Sequence, residues 1–330
     1  MKFGIIGYGR MGKTYHEVLD EMEIEVDFLC DVQKGIEYKK VFEDYKEALD
    51  STTIDGVIIT TYGPSHYEIV KYAIDKKIKY IVCEKPFTTS VSNAEEIIKS
   101  LEKNDTRLTI GYLRRFSDTY SSLLQKLYQE KIIGDVRTVV VTSGAGGIST
   151  LGTHFIDLAT LLLSEKIKSV FAIPINKNHP NPRGENFEDP GGYFILNFEN
   201  EKRAFVDMGD DLGLQPKIEI IGTFGRIEIN EISKKIVGYA RNKQDQEKPM
   251  KFYGLENQVI LDEVFDLESI NSLIKNMIKD LVSENILKMR ANMAKEKVET
   301  YSAIRKSFDT GENVILPLKD VYYDKEFMVT

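Results

Sequence analysis

Short apolar runs and amphipathic stretches alternate through the first third of the chain. The apolar runs are typical of strands buried on both faces of a sheet. Such strands are predicted over residues 3–6, 26–30, 55–60, 80–83 and 107–111. The stretches between them predict helices over residues 13–21, 32 to about 50, 66 to about 75, and 92 to about 103, the last one capped by Ser92. This alternation predicts a doubly wound parallel sheet, in which ligands bind at the carboxyl ends of the strands.

The pattern changes near residue 118. A helix (119–129), a strand (135–143), a glycine-rich loop and another helix (154–163) are predicted first. Strands without long helices between them follow at residues 169–175, 192–198, 203–208, 217–221, 225–229 and 236–239, with a hairpin turn at 222–225. Two helices, 267–283 and 288–308, and a short extended tail at 313–318 complete the pattern. It predicts an α+β unit with a largely antiparallel open sheet and helices on one face.

A glycine motif directly follows the first predicted strand. Its residues are Gly7-Tyr8-Gly9-Arg10-Met11-Gly12, with the spacing G-x-G-x-x-G. Gly7 allows the tight turn, Gly9 lets a pyrophosphate approach the backbone, and Gly12 lets the next helix pack closely. Asp31 ends the second predicted strand, where a carboxylate accepts hydrogen bonds from an adenosine ribose. The combination predicts a dinucleotide site for NAD, because Asp31 repels the 2′-phosphate of NADP, while Lys34 leaves NADP open.

Length, charge and cysteine content narrow the picture further. A chain of 330 residues exceeds one core of usual size, so we expect two domains, 1–118 and 119–330. The net charge of −8 argues against nucleic acid or a membrane as partner. Two cysteines, Cys30 and Cys83, form no disulfide framework, and no signal peptide or membrane span is visible, so we expect a cytoplasmic protein. The spacing of His and Cys predicts no metal site.

Several motifs together resemble those of the glucose–fructose oxidoreductase / inositol dehydrogenase / rhizopine-catabolism (Gfo/Idh/MocA) family. They are the glycine motif, Glu84-Lys85-Pro86, the segments 111–116 and 221–225, Gly152-Thr153-His154-Phe155-Ile156-Asp157, and the tail 310–318. The resemblance implies a Rossmann domain followed by a domain for substrate binding and oligomerisation. It also implies NAD(P)-dependent oxidation of sugars, cyclitols or sugar nucleotides, in homodimers or homotetramers formed through the second domain's sheet.

Two residues are predicted to be catalytic. Lys85 follows a central strand, and because Pro86 disfavours helix there, its ammonium group should lie over the carboxyl edge of the sheet. His154 lies in the first turn of a predicted helix, whose positive dipole end favours the neutral imidazole that accepts a proton. Asp157, three residues later, either orients His154, binds a substrate hydroxyl, or is a solvated or capping acid.

Position 150 departs from the family pattern. Many members carry an aspartate four residues before the histidine, and this chain has Thr150 there, which we predict to face the substrate. Threonine has no charge to stabilise an imidazolium. Either His154 acts without a carboxylate partner, or Lys85 transfers the proton, or the protein is not a typical dehydrogenase.

The remaining candidates have weaker signals. Arg115, with Arg114, lies at the predicted domain junction and either binds an anionic substrate group or forms a salt bridge between domains. Arg183, in a polar loop, either contacts an anionic substrate or is an ordinary surface residue. The resemblance adds Thr60, Thr61, Pro64 and His66 on the nicotinamide side of the cofactor site, and Glu84 and Lys85 are also predicted to bind the cofactor.

The sequence therefore predicts an NAD(P)-dependent oxidoreductase that acts on a secondary hydroxyl of a sugar, cyclitol or sugar nucleotide. Two alternatives remain at this point. One is a glycosidase-like relative that retains its NAD and uses it transiently, and the other is a non-catalytic protein that binds or senses NAD.

Overall fold

The computed structural model describes residues 1–144, 146–175, 184, 187–209, 211–213, 216–246, 248 and 255–329. These residues form two β-sheets with helices around them. The first sheet comes from the first third of the chain, and the second sheet comes from residues 136 onward. The fold therefore confirms the predicted pairing of a parallel sheet with a largely antiparallel one.

The first sheet is parallel and has six strands in the order β3-β2-β1-β4-β5-β6. They are β1 (Lys2–Ile6), β2 (Glu25–Cys30), β3 (Val41–Phe42), β4 (Gly56–Ile59), β5 (Tyr80–Cys83) and β6 (Arg107–Ile110). Their apolar residues are buried because helices cover both faces. The strand order reverses at β1, whose neighbours are β2 and β4, and ligand crevices form at such a point.

Four helices connect these strands. They are α1 (Arg10–Glu21), α2 (Tyr45–Ser51), α3 (Gly63–Asp75) and α4 (Val91–Leu101). The predicted helix from residue 32 was wrong in its first half, because residues 40–42 pair with β2 and α2 begins only after its N-cap, Asp44. The predicted cap of α4 was also wrong: Ser90, not Ser92, accepts the hydrogen bond from the Asn93 amide.

The second sheet has nine strands in the order β14-β13-β12-β11-β7-β10-β9-β8-β15. All neighbouring pairs are antiparallel except β7 and β10. The strands are β7 (Val136–Thr142), β8 (Ile167–Ile175), β9 (Gly191–Phe198), β10 (Arg203–Met208), β11 (Lys217–Gly222), β12 (Gly225–Asn230), β13 (Lys235–Arg241), β14 (Asn257–Val264) and β15 (Val314–Ile315). The predicted hairpin at 222–225 joins β11 to β12, and β14 was not predicted.

The later helices are α5 (Asp118–Tyr128), α6 (Thr153–Leu163), α7 (Ile270–Val282), α8 (Ala291–Thr310) and α9 (Val321–Asp324). A π-helical turn, Gly147–Gly152, leads directly into α6. Helices α6 and α8 pack on the second sheet, and α7 and α8 also contact β6 and helices of the first half. Helix α8 therefore contacts both sheets. We keep the domain boundary at residue 118 as a proposal.

Candidate active site

The glycine loop between β1 and α1 is shaped by close contacts. Gly7 has φ of +89°, and a Cβ there would lie 2.7 Å from the backbone of Thr60 and Thr61. A Cβ on Gly12 would lie 2.1 Å from the Gly7 carbonyl oxygen, so the helix packs directly on the loop. A Cβ on Gly9 would meet no atom within 4 Å. The backbone at Gly9 thus borders open space, as expected where a pyrophosphate approaches.

Asp31 lies beside this loop at the carboxyl end of β2. Its carboxylate accepts hydrogen bonds from the Tyr8 amide at 2.5 Å and the Gln33 amide at 2.8 Å. Arg10 is exposed at the start of α1, and Met11 next to it is half-buried. The loop, the helix N-terminus and the acid therefore occupy the relative positions that the sequence predicts for a dinucleotide site.

The residues after β4 contact the glycine loop and the segment around Pro86. The Thr60 hydroxyl donates to the Gly7 carbonyl oxygen at 2.5 Å, and Thr61 accepts from a neighbouring serine hydroxyl. Pro64 lies in the first turn of α3. His66 is fully buried, and its ring nitrogens lie 2.7 Å from the Pro86 oxygen and 3.0 Å from the Thr61 oxygen. Burial lowers the pKa of His66 despite these two hydrogen-bonding contacts. His66 therefore links the loop after β4 to the loop that contains Pro86.

Glu84 is buried beneath the site. Its carboxylate accepts hydrogen bonds from the Tyr15 hydroxyl at 2.8 Å and the Lys85 amide at 3.3 Å. Burial raises the pKa of Glu84, while the Lys85 cation and these hydrogen bonds act against that rise. Only glycine fits at position 111, because a Cβ there would lie 2.7 Å from the Glu84 carboxylate. Glu84 therefore anchors the start of the loop that carries Lys85.

Lys85 follows β5 and His154 lies in the first turn of α6, and the two are close enough for the Lys85 charge to act on the imidazole. The Lys85 ammonium group donates a hydrogen bond to the Thr150 carbonyl oxygen at 2.9 Å. Burial, and after it the cations of Lys85 and Arg114, hold the pKa of His154 well below its usual value. The Tyr112 ring packs edge-on against the imidazole, with the ring centroids 5.7 Å apart. The site thus combines a cation with a neutral imidazole, the pair predicted from the sequence.

Thr150 has a neighbour that sequence reasoning missed. Its amide and that of Ser149 donate to the carboxylate of Asp189, at 2.8 Å and 2.6 Å. Asp189 precedes β9 and lies 39 residues further along the chain than Thr150. A lone acid before a predicted strand carries no local signal of such a contact.

Asp157 and Arg115 lie together, but away from the protein surface. The Arg115 guanidinium donates from Nε to both carboxylate oxygens of Asp157 at 2.9 Å, and its Nη2 lies 2.8 Å from Oδ1. Only 2% of the Asp157 side chain is exposed. Of the roles considered for these residues, the salt bridge between the predicted domains describes the observed contact. Arg183, the other candidate for substrate binding, lies outside the described residues.

The described part of the chain shows neither a metal cluster nor a membrane-spanning helix. It contains no group of three or more His, Cys, Asp or Glu residues that would suit a metal ion. None of its helices is long and apolar enough to cross a membrane.

The parallel sheet, the glycine loop and the acid after β2 define a dinucleotide-binding Rossmann protein, and family models agree. The model of an oxidoreductase family with an NAD-binding Rossmann fold matches residues 1–112, and the model of that family's C-terminal domain matches residues 140–228. The chain belongs to the Gfo/Idh/MocA family of NAD-binding oxidoreductases. The predicted family, fold class and NAD cofactor are thereby confirmed.

Similar proteins are spread over several bacteria. A myo-inositol 2-dehydrogenase of Thermotoga maritima is 23% identical over 304 residues, which cover 84% of this chain and 88% of the relative. An Agrobacterium radiobacter oxidoreductase, solved with NAD+, L-tartaric acid and magnesium, is 18% identical with a TM-score of 0.77, covering 96% of this chain and 98% of that one. A Lactobacillus casei scyllo-inositol dehydrogenase, solved with NAD(H) and scyllo-inositol, is 19% identical with a TM-score of 0.73 and the same coverage. The structural likenesses establish the fold.

Proposed function

We propose that the protein is an NAD-dependent dehydrogenase that oxidises a secondary hydroxyl group of a sugar, cyclitol or sugar nucleotide. The proposal depends on one observation: the Lys85 ammonium group meets the Thr150 carbonyl 2.9 Å away, and His154 follows four residues later. A cation and a neutral imidazole side by side are the groups that alcohol oxidation needs. Relatives named as inositol dehydrogenases support a polyol substrate.

The carboxyl edge of the first sheet suits NAD. Open space over Gly9 fits a pyrophosphate, the exposed Arg10 lies at the helix N-terminus, and Asp31 lies where a ribose would bind. These residues would bind and orient the cofactor, with Thr60 holding the loop from the β4 side. When bound, NAD supplies the acceptor for the hydride that leaves the carbinol carbon.

His154 and Lys85 divide the acid–base work in this proposal. Because its pKa is held low, the His154 imidazole is neutral and accepts the hydroxyl proton as the carbon–hydrogen bond releases its electron pair. The Lys85 ammonium group stabilises the negative charge that develops on the oxygen. The products are a ketone, the reduced cofactor and one proton on His154. Proton transfer by Lys85 itself is the competing assignment.

The test is NADH formation from a panel of sugars and inositols. We expect a steady rise in NADH absorbance with the wild-type chain, and a loss of kcat of about 10² to 10³-fold in K85M, because the cation that stabilises the developing charge is removed. K79M serves as the matched control, since Lys79 is an exposed lysine just before β5. NAD affinity, followed by NADH fluorescence, should be unchanged in K79M, and in K85M it measures whether Lys85 also contacts the cofactor.

Other outcomes would replace the proposal. Turnover in K85M equal to that of the wild type contradicts it. Hydrolysis of an aryl glycoside without net NADH would indicate the glycosidase-like alternative, and tight NAD binding with neither activity would indicate a sensing role.

The H154N variant separates His154 from Lys85 as the proton acceptor. It should retain NAD binding and lose turnover, with activity returning in part as pH rises.

Two broader properties also remain proposals. We propose a homodimer or homotetramer that forms through the outer face of the second sheet and has neither nucleic acid nor membrane as partner. We also propose a cytoplasmic location, which fits the two buried, reduced cysteines, Cys30 and Cys83.

A further inference from the structure

The Asp189 carboxylate is enclosed by the π-helical turn Gly147–Gly152. Its Oδ1 accepts from the Ser149 amide at 2.6 Å, and its Oδ2 accepts from the Thr150 amide at 2.8 Å. Gly147 makes room for it, because a Cβ there would lie 2.1 Å from Oδ2 and the residue has φ of +60°. Backbone amides, a hydrogen bond from the Thr150 side chain and a glycine thus form a fitted receptor for this carboxylate.

The segment that carries Asp189 is held on both sides. The Phe187 ring packs on the Tyr62 ring at the start of α3, with centroids 5.6 Å apart. The Glu188 amide donates to the Met328 oxygen in the C-terminal tail, and the Pro190 oxygen accepts from the turn itself. The carboxylate is therefore fixed relative to both sheets.

Thr150 connects this carboxylate to Lys85. Asp189 binds the amide of Thr150, and the Lys85 ammonium group binds its carbonyl oxygen. Burial raises the pKa of Asp189, whereas the three hydrogen bonds and the Lys85 cation favour its ionised form. Asp189 thus holds the residue whose carbonyl oxygen Lys85 contacts. Its nearby negative charge also favours the ammonium form of Lys85.

We propose that Asp189 is a positioning residue of the active site, which holds Thr150 in place for Lys85 and keeps the Lys85 side chain charged during turnover. This inference rests on the proposed function for its consequence in turnover, but the contact itself can be tested without a substrate. Asp189 supplies, from the segment that precedes β9, the carboxylate that position 150 lacks.

Lys85 has several titratable neighbours, and each enters the expected behaviour. Glu84 precedes it, His66 approaches from α3, His154 from α6, and Asp189 from the segment before β9. The two histidines have lowered pKa values and so are neutral near pH 7. Among the described residues, the Lys85 charge acts on the acids Glu84 and Asp189, and Asp189 is connected to it through Thr150.

The first experiment measures Lys85 directly in the full-length protein. Amine labelling at a series of pH values, quantified by mass spectrometry of the peptide containing Lys85, gives the midpoint of its titration. In D189N we expect this midpoint to fall by about 1 pH unit, because loss of the nearby negative charge favours the neutral amine. E188Q is the control, since Glu188 is an exposed acid that pairs with Arg305. A midpoint unchanged in D189N overturns the proposal.

The second experiment measures turnover. We expect D189N to lose about 10²-fold in kcat, with the alkaline limb of its pH–rate profile moved to lower pH and NAD affinity unchanged. D189E, which keeps the charge, should leave the alkaline limb at its wild-type position, even where its longer side chain lowers kcat beside Gly147. Equal losses in D189N and D189E, without movement of the profile, would indicate a structural role only.

Failure of the proposed function gives a different result. If the wild-type chain forms no NADH with any polyol while the labelling midpoint still moves in D189N, the coupling of Asp189 to Lys85 stands and the assigned reaction fails. Should D189N not fold, D189S carries the same labelling comparison, because its hydroxyl still accepts a hydrogen bond from one of the amides.

Discussion

At the scale of single residues, Asp157 belongs to a buried charge cluster, which favours a role in stability over a role in substrate binding. Arg115 meets its carboxylate through Nε and Nη2, and Lys297, which is only 1% exposed, lies 3.7 Å from Oδ1. Burial lowers the pKa of Lys297, and the Asp157 charge counteracts part of that effect. The cluster thus holds two cations around one buried anion, with the partly exposed Glu296 3.6 Å from Lys297.

We expect D157N to lower the free energy of unfolding by about 3 to 5 kcal/mol, because the buried Arg115 loses its anion and, among the described residues, the buried Lys297 keeps only Glu296. Urea denaturation measures the change, and D105N is the control, since Asp105 is an exposed acid before β6. Unchanged stability in D157N combined with a raised KM would instead place Asp157 at the substrate.

Residues differ in how far the sequence reveals them. Gly7, Lys85 and His154 belong to local motifs whose spacing has a physical reason, and the sequence alone predicted them. Asp189 reaches Thr150 only because β9 pairs within the second sheet, across 39 residues. Such a contact depends on tertiary structure and leaves no trace in local spacing.

At the scale of elements, strands buried on both faces were predicted within one or two residues. The prediction failed where burial is weak. Strand β14 lies at a sheet edge with seven of its eight residues exposed, so it lacks an apolar alternation. Strand β3 has two residues and exists only through its pairing with the end of β2. Hydrophobic periodicity reflects burial, and hardly any residue of these two strands is buried.

The strand–loop–helix element gives a matched test of the glycine motif. G9A should fold with unchanged thermal stability, because its Cβ meets open space, and should weaken NAD binding at least several-fold if the pyrophosphate lies there. G12A should cost about 1 to 3 kcal/mol of stability, because its Cβ would lie 2.1 Å from a carbonyl oxygen. Thermal unfolding and NADH fluorescence titration measure the two effects. NAD affinity unaffected by G9A would move the cofactor away from this loop.

At the scale of the whole molecule, helices of the described residues cover only one face of the second sheet. Helices α6 and α8 pack on that face, and the other carries an apolar row across β8, β9, β10 and β7. Phe171, Ile195, Phe205 and Val140 are neighbours in this row, and Phe205 is 40% exposed. A contiguous apolar surface of this kind is typical of a contact between proteins.

We expect this row to lie at a contact between copies of the chain, as the proposed homo-oligomer requires. F205D places a charge at its centre, and around a two-fold axis each copy brings that charge to the contact. Light scattering after size exclusion should then give the monomer mass of 37.7 kDa, whereas the wild-type chain gives a multiple of it.

I286D controls for an added surface charge, because Ile286 is exposed in the loop between α7 and α8. A wild-type monomer, or an F205D variant that still assembles, would remove this face from the oligomer. Since the face lies opposite α6 and α8, and His154 is on α6, monomeric F205D should keep its turnover.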